Sequence, residues 1–245
     1  MNGHILAATA RRVLLQLRHD RRTLALLLLA PVMIMSILAW MFSSTPGVFD
    51  HWGPLLLGIF PLIIMFLVTS VATLRERSGG TLERLLALPV GKLDFLLGYG
   101  IAFGLAAAVQ ATVVGAVAFG LLGMQVRGPE LAVLLVAVLV AVLGSSMGLL
   151  LSAFASTEFQ AVQFMPALVI PQLLVCGLFG DRSMLPTALQ LVGDVLPLTY
   201  AVDAMHLLQS GTELTGAFWR DIAVVAGFIV AMLVAGAATL RRRTP

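Results

Sequence analysis

Arg75-Glu-Arg-Ser-Gly-Gly-Thr-Leu-Glu-Arg-Leu-Leu-Ala-Leu-Pro-Val-Gly-Lys-Leu-Asp-Phe-Leu-Leu-Gly98 is a charged island between two long apolar stretches. It holds four of the chain's fifteen basic residues. Gly79-Gly80 interrupts an incoming helix, and Pro89 lacks the amide hydrogen that a helix needs to continue. Residues 81–88 between them have room for about two helical turns. Leu82, Leu85 and Leu86 recur at i, i+3, i+4 and share one face, while Thr81, Glu83 and Arg84 take the other. A short amphipathic helix on the basic side of a membrane protein is suited to dock a soluble partner. The plainer reading of the same residues is a solvated loop that only carries charge.

The surrounding sequence requires a membrane. The chain is 60% hydrophobic and only 11% charged, with a mean hydropathy of +1.02. A soluble domain carries about 25% charged residues. In 245 residues, one aqueous core cannot hide that much apolar surface. The reading is therefore an all-α integral membrane protein. The net charge of +3 does not indicate nucleic acid, because the basic residues flank apolar spans rather than forming a patch. Cys176 is the sole cysteine, so no intramolecular disulfide can form.

A bilayer-crossing helix needs about 20 apolar residues. Six such spans are expected: 23–42, 55–74, 96–122, 131–154, 161–180 and 222–240. None contains Asp, Glu, Lys, Arg or His. The first is too long for a signal peptide and lacks an Ala-x-Ala cleavage site, so it is read as a retained span. With this layout twelve basic residues fall on one side and three (Arg127, Arg182 and Arg220) on the other. The positive-inside rule then predicts that both termini are cytoplasmic. The preference for arginine over lysine, with abundant Ala and Leu, hints at a GC-rich bacterium, and the expected location is the bacterial plasma (inner) membrane. Residues 1–22 alternate apolar and basic positions and read as an amphipathic helix lying in the interface, before a transmembrane domain of residues 23–245.

The loop 181–220 is too apolar for a free linker, yet Pro186, Gly193 and Pro197 cut it into pieces too short to span. Short re-entrant helices over 183–209 are expected to cap the outer mouth of a pathway. Spans three, four and six carry small-residue stripes suited to close helix packing. Span five differs. Pro166 and Pro171 should kink it, and Gln163, Gln172 and Cys176 make it more polar. Thr69 and Thr73 on span two, with Gln163 and Gln172, are candidate pathway groups.

Several chemistries are excluded. Gly144-Ser-Ser-Met-Gly148 spells a nucleophile elbow, but it lies inside an apolar helix rather than at a strand-to-helix turn. No metal-ligand spacing occurs. A P-loop needs Gly-Lys-[Ser/Thr], and the only lysine lies in Gly91-Lys92-Leu93. The chain is thus expected not to be an enzyme and to hold no cofactor, with ATP and Mg bound by a partner. The absence of carboxylates and histidines from the spans argues against a proton relay. A transporter so built must take its energy from another subunit.

Gly80-Thr-Leu-Glu-Arg-Leu-Leu-Ala-Leu-Pro-Val90 and its continuation to Leu97 and Gly98 resemble the second-to-third-span region of ABC-2 type permeases, of the daunorubicin-resistance kind. Ser152-Ala-Phe-Ala-Ser-Thr-Glu-Phe-Gln-Ala-Val-Gln163 and Leu196-Pro-Leu-Thr-Tyr-Ala-Val-Asp-Ala-Met205 resemble further parts of the same family, in the same order. The resemblance implies a half-transporter. Two permease chains, identical or paralogous, would pair in membrane lipid, and each would dock an ABC ATPase subunit. It makes 81–88 the coupling helix and 3–22 the interfacial helix beside it. The ATPase contact would then comprise Arg75, Glu76, Thr81, Leu82, Glu83, Arg84, Leu85 and Leu86. It places Pro197, Tyr200 and Asp203 in the outer gate. His206 stands where family members often have a basic residue. The cargo would be lipophilic or amphipathic and would move outward. A stand-alone channel or facilitator and a membrane assembly protein are the alternatives, and neither requires a docking helix.

Overall fold

The computed structural model describes residues 3–45, 47–79 and 92–239. Each apolar span forms a helix, because a backbone in lipid must satisfy its own hydrogen bonds. The order is α1 (Gly3–His19), α2 (Arg21–Met41), α3 (Val48–Ser78), α4 (Lys92–Gly120), α5 (Glu130–Leu151), α6 (Glu158–Val175), a 3-10 turn (Arg182–Met184), α7 (Thr187–Asp194), α8 (Pro197–Ser210) and α9 (Gly216–Thr239). No strand occurs among the described residues. α2 to α6 and α9 are each long and apolar enough to cross a bilayer, which agrees with the six expected spans. The helix expected over 81–88 lies outside the described residues.

Three boundaries differ from expectation. α3 runs for 31 residues and carries Asp50 and His51 at one end and Arg75 and Arg77 at the other. α6 stops at Val175 because Gly177, at φ +89°, turns the chain. α9 starts at Gly216 rather than at 222 and so takes Arg220 and Asp221 into the helix. Asp221 is fully buried, which overturns the expectation that the bundle holds no buried carboxylate. The apolar run marked where the helix becomes greasy, not where it begins.

α3 and α5 form the centre. Between them lie Leu62, Phe66, Val140, Leu143 and Met147, all nearly or fully buried. Their backbones touch. A Cβ added to Gly144 would meet the Leu62 carbonyl oxygen at 2.3 Å, and one added to Gly148 would meet the Phe66 oxygen at 2.6 Å. The small-residue stripe of the fourth span thus makes the close approach expected of it. That of the sixth does not at Gly227, which has nothing within 4 Å.

α2, α6 and α9 lie at the periphery. Only 17%, 22% and 22% of their apolar windows are buried, against 67% for α5. Leu26, Leu29, Met33, Ile37 and Trp40 of α2 point outward, as do Phe159, Ile170 and Leu174 of α6. Asp20 caps α2. Its Oδ1 accepts from the Thr23 amide at 3.1 Å and its Oδ2 from the Thr23 hydroxyl at 2.6 Å, which holds this carboxyl below the usual range. α1 packs on α4, with Ala10 and Val13 buried and Arg11, Gln16 and Arg18 exposed. α7 and α8 form a bent pair, 92° apart at the Val195-Leu196 break. Pro197 fits at the start of α8 because a first-turn amide has no helical acceptor.

Candidate functional site: a clasp at one end and a polar cavity at the other

At the basic end, charge pairs join elements distant in sequence. Arg75 closes α3 and grips Glu158, the first residue of α6, with Nε and Nη2 at 2.7 and 2.9 Å. Glu76, one residue on, accepts from Arg12 of α1 at 3.0 Å. The same guanidinium reaches the Tyr99 hydroxyl of α4 at 2.6 Å. Arg77 donates to the Ser152 carbonyl at the end of α5. The last turn of α3, which leads directly into residues 80–91, is therefore tied to α1, α4, α5 and α6. Of the expected ATPase-contact residues, Arg75 and Glu76 are described, and each is engaged within the chain. Thr81, Leu82, Glu83, Arg84, Leu85 and Leu86 lie outside the described residues.

The four pathway candidates do not share a surface. Thr69 and Thr73 are buried, and their hydroxyls have no hydrogen-bond partner among the described residues. Thr69 abuts Gly148. Gln172 is also buried, and its amide donates to the Leu168 carbonyl at 3.1 Å. Gln163 is exposed on α6.

The three outer-gate candidates do come together, at the far end. Pro197 is buried at the start of α8. The Tyr200 hydroxyl donates to the Asp194 carbonyl at 2.6 Å, bracing the bend between α7 and α8. Asp203 pairs with Arg182 at 3.3 Å, and Arg182 also grips the Asp194 carboxylate. The Thr199 hydroxyl closes the bend by donating to the Gly193 carbonyl at 2.7 Å. His206 answers to the turn after α6. Its Nε2 lies 3.3 Å from the Gly177 carbonyl, while Nδ1 lies 3.2 Å from the Gln209 amide oxygen. A neutral ring can donate to only one of them.

Sequence reasoning missed Arg182, Asp194, His51, Trp52 and Asp221 here. Arg182 was visible as one of three basic residues on its side. The others gave no signal, because nothing local shows what buries Asp221 or brings His51, Trp52 and Asp194 to the same end. Among the described residues, two cavities open at this end. One of about 530 Å³ is lined by His51, Trp52, Phe179, Arg182, Asp203 and His206. One of about 580 Å³ is lined by Asp203, His206, Gln209, Ser210, Arg220 and Asp221. Among the described residues no three His, Cys, Asp or Glu side chains converge as metal ligands.

The arrangement is a helical bundle, ion-paired at one end and capped by a bent helix pair at the other, and its sequence is similar to that of known proteins. The model of the family described as ABC-2 type transporter matches residues 4–209. ABC transporter G family member 20 of Dictyostelium discoideum is 30% identical over 139 residues, covering 57% of this chain and 19% of that protein. The probable multidrug ABC transporter permease YbhR of Escherichia coli is 27% identical over 150 residues, covering 61% of this chain and 41% of that protein. Its counterpart YbhS is 25% identical over 151 residues, covering 61% and 40%. The matched stretch thus spans at most about two fifths of these relatives' length. The family match runs from α1 nearly to the end of α8, so it takes in both the clasp and the cap: the chain belongs to the ABC-2 type transporter family.

Proposed function

We propose that the chain is the membrane-spanning permease subunit of an ATP-driven exporter. A separate cassette subunit hydrolyses ATP, and a lipophilic or amphipathic substrate moves outward. The observation that carries the reading is the clasp at the end of α3. A soluble motor acting on residues 80–91 pulls first on Arg75, Glu76 and Arg77. These three residues hold α1, the α5 end and α6. Movement of the docking segment therefore reaches several helices at once. A channel has no need of such a linkage.

Two copies of a permease chain enclose the pathway in this reading. The outward apolar faces of α2 and α6 support it, since both are available to a second chain or to lipid. The basic end faces the cytoplasm of a bacterium, and the bent pair caps the outer mouth. Co-expression with the ATPase and reconstitution into vesicles tests the proposal. The complex should contain two membrane subunits and two ATPases, and it should move a fluorescent amphiphile only when ATP is present. ATP-independent flux through this chain alone would refute it.

A further inference from the structure

We propose that the two far-end cavities form one binding site for an alkylammonium group. They share His51, Asp203 and His206 as a common wall. On one side stand Trp52 and Phe179, with ring centroids 6.4 Å apart. On the other lies Asp221, whose side chain is only 1% exposed. One of its oxygens accepts two bonds from Arg220, while Oδ2 has no partner among the described residues. A carboxylate beside an aromatic wall is the chemistry that holds an organic cation. The ring faces attract positive charge and the carboxylate opposes it. A buried carboxylate in a membrane protein is costly and marks a functional site by default.

The charge balance favours a cation. Seven carboxylates, from Asp50 to Asp221, lie at this end against the guanidiniums of Arg127, Arg182 and Arg220. Arg182 is held by Asp194 and Asp203, and Arg220 by Asp221. Asp203 keeps 34% of its side chain accessible and is the carboxylate that lines both cavities, so it is the one that can face a ligand from either. A quaternary alkylammonium is bulky and weakly hydrated, and it needs no tight ligand shell. It fits an open cavity of several hundred cubic ångströms whose lining combines the Trp52 and Phe179 rings with the Asp203 carboxylate. The group has two natural sources: the headgroup of a zwitterionic phospholipid in the adjoining leaflet, or a free cationic amphiphile. The inference concerns equilibrium binding to this chain and does not depend on the export reading.

Choline is the probe, and 3,3-dimethylbutan-1-ol is its uncharged carbon isostere. Binding of each to the purified full-length chain in nonionic detergent is followed by saturation-transfer NMR. Choline should bind saturably, and the isostere at least tenfold more weakly. Asp203→Asn should weaken choline at least tenfold, and Asp221→Asn and Trp52→Leu at least threefold. Trp52→Phe should keep most of the affinity. Should Asp203→Asn fail to fold, the Trp52→Leu and Trp52→Phe pair decides. Equal binding of choline and its isostere overturns the proposal, as does choline affinity unmoved by every variant that folds. Native mass spectrometry from mixed phosphatidylcholine and phosphatidylglycerol nanodiscs separates the sources. Selective retention of phosphatidylcholine, displaced by choline, supports the site with a lipid headgroup as occupant. Choline binding without lipid selectivity supports it with a free cation as occupant.

Discussion

Adding one methyl group at Gly144 should separate the two central helices. An alanine Cβ there would sit 2.3 Å from the Leu62 carbonyl oxygen and 2.9 Å from the Leu62 Cα. These are backbone atoms, so no rotamer change relieves the contact. Ordinary van der Waals separation is roughly 3.5 Å, and the helices must therefore part by about 1 Å. Overpacking of this kind costs about 1–3 kcal/mol. Replacing a helical glycine by alanine returns about 1 kcal/mol through helix propensity. Gly227 provides the internal control, because a Cβ there has nothing within 4 Å and only the propensity gain operates. Gly144→Ala should therefore be about 1–3 kcal/mol less stable than Gly227→Ala. At roughly 2–4 °C per kcal/mol for a chain of this size, its unfolding midpoint should lie about 2–12 °C lower. Thermal denaturation of both proteins in the same detergent, followed by size-exclusion of the soluble fraction, measures this. Equal midpoints, or a higher one for Gly144→Ala, would refute direct backbone contact between α3 and α5.

Leu82→Asp with Leu86→Asp should leave membrane insertion intact and abolish co-purification of the ATPase, since burial of each leucine is worth about 1.5–3 kcal/mol; a variant that still exports at the parent rate rules out 81–88 as the docking helix. The Arg75–Glu158 pair is more than half exposed on the arginine side, so Arg75→Ala should change stability by less than about 1 kcal/mol. It should nevertheless lower export at unchanged ATPase binding, and the swap Arg75→Glu with Glu158→Arg should restore it. Asp20→Ala should cost about 1 kcal/mol at neutral pH through loss of the α2 cap. The Asp20 carboxyl is depressed when folded, so this difference is present above the unfolded pKa and vanishes as pH falls through the folded one. Cysteines placed at Ser44 and Thr212 should react with an impermeant reagent added outside, and one at Ser78 should not. All three positions are exposed, and the native Cys176 is buried.

The six helices were legible because lipid imposes a simple demand on each segment alone: enough apolar residues in a row. Gly144 and Gly148 were legible for a similar reason, since their spacing on one helix already implies close packing. Asp221 was not. Its apolar run begins at Ile222, and nothing local shows that a neighbouring arginine and the α8 helix will cover its carboxylate. The clasp was half legible. Arg75 and Glu76 stood out as charges beside a helix break, but Glu158 and Arg12 are separated from them by 83 and 64 positions. Only tertiary structure brings such pairs together. The bent α7–α8 pair gave its break points through Pro186, Gly193 and Pro197, yet not Arg182, the residue that ties its two helices.

Gly98 of α4 lies hard against α1: a Cβ there would come within 2.7 Å of the Thr9 Cβ. This contact bears on the order of biogenesis. α1 leaves the ribosome before α4, and its seat on Gly98, Tyr99 and Ala102 is made almost ninety residues later. Until α4 arrives, the apolar side of α1 lacks its main seat and has the bilayer surface to rest on. The arginines beside it would anchor that waiting helix to anionic headgroups. A chain stalled before α4 would thus hold α1 by lipid and by the Arg12–Glu76 pair to α3, and docking onto Gly98 would be the step that commits it to the bundle.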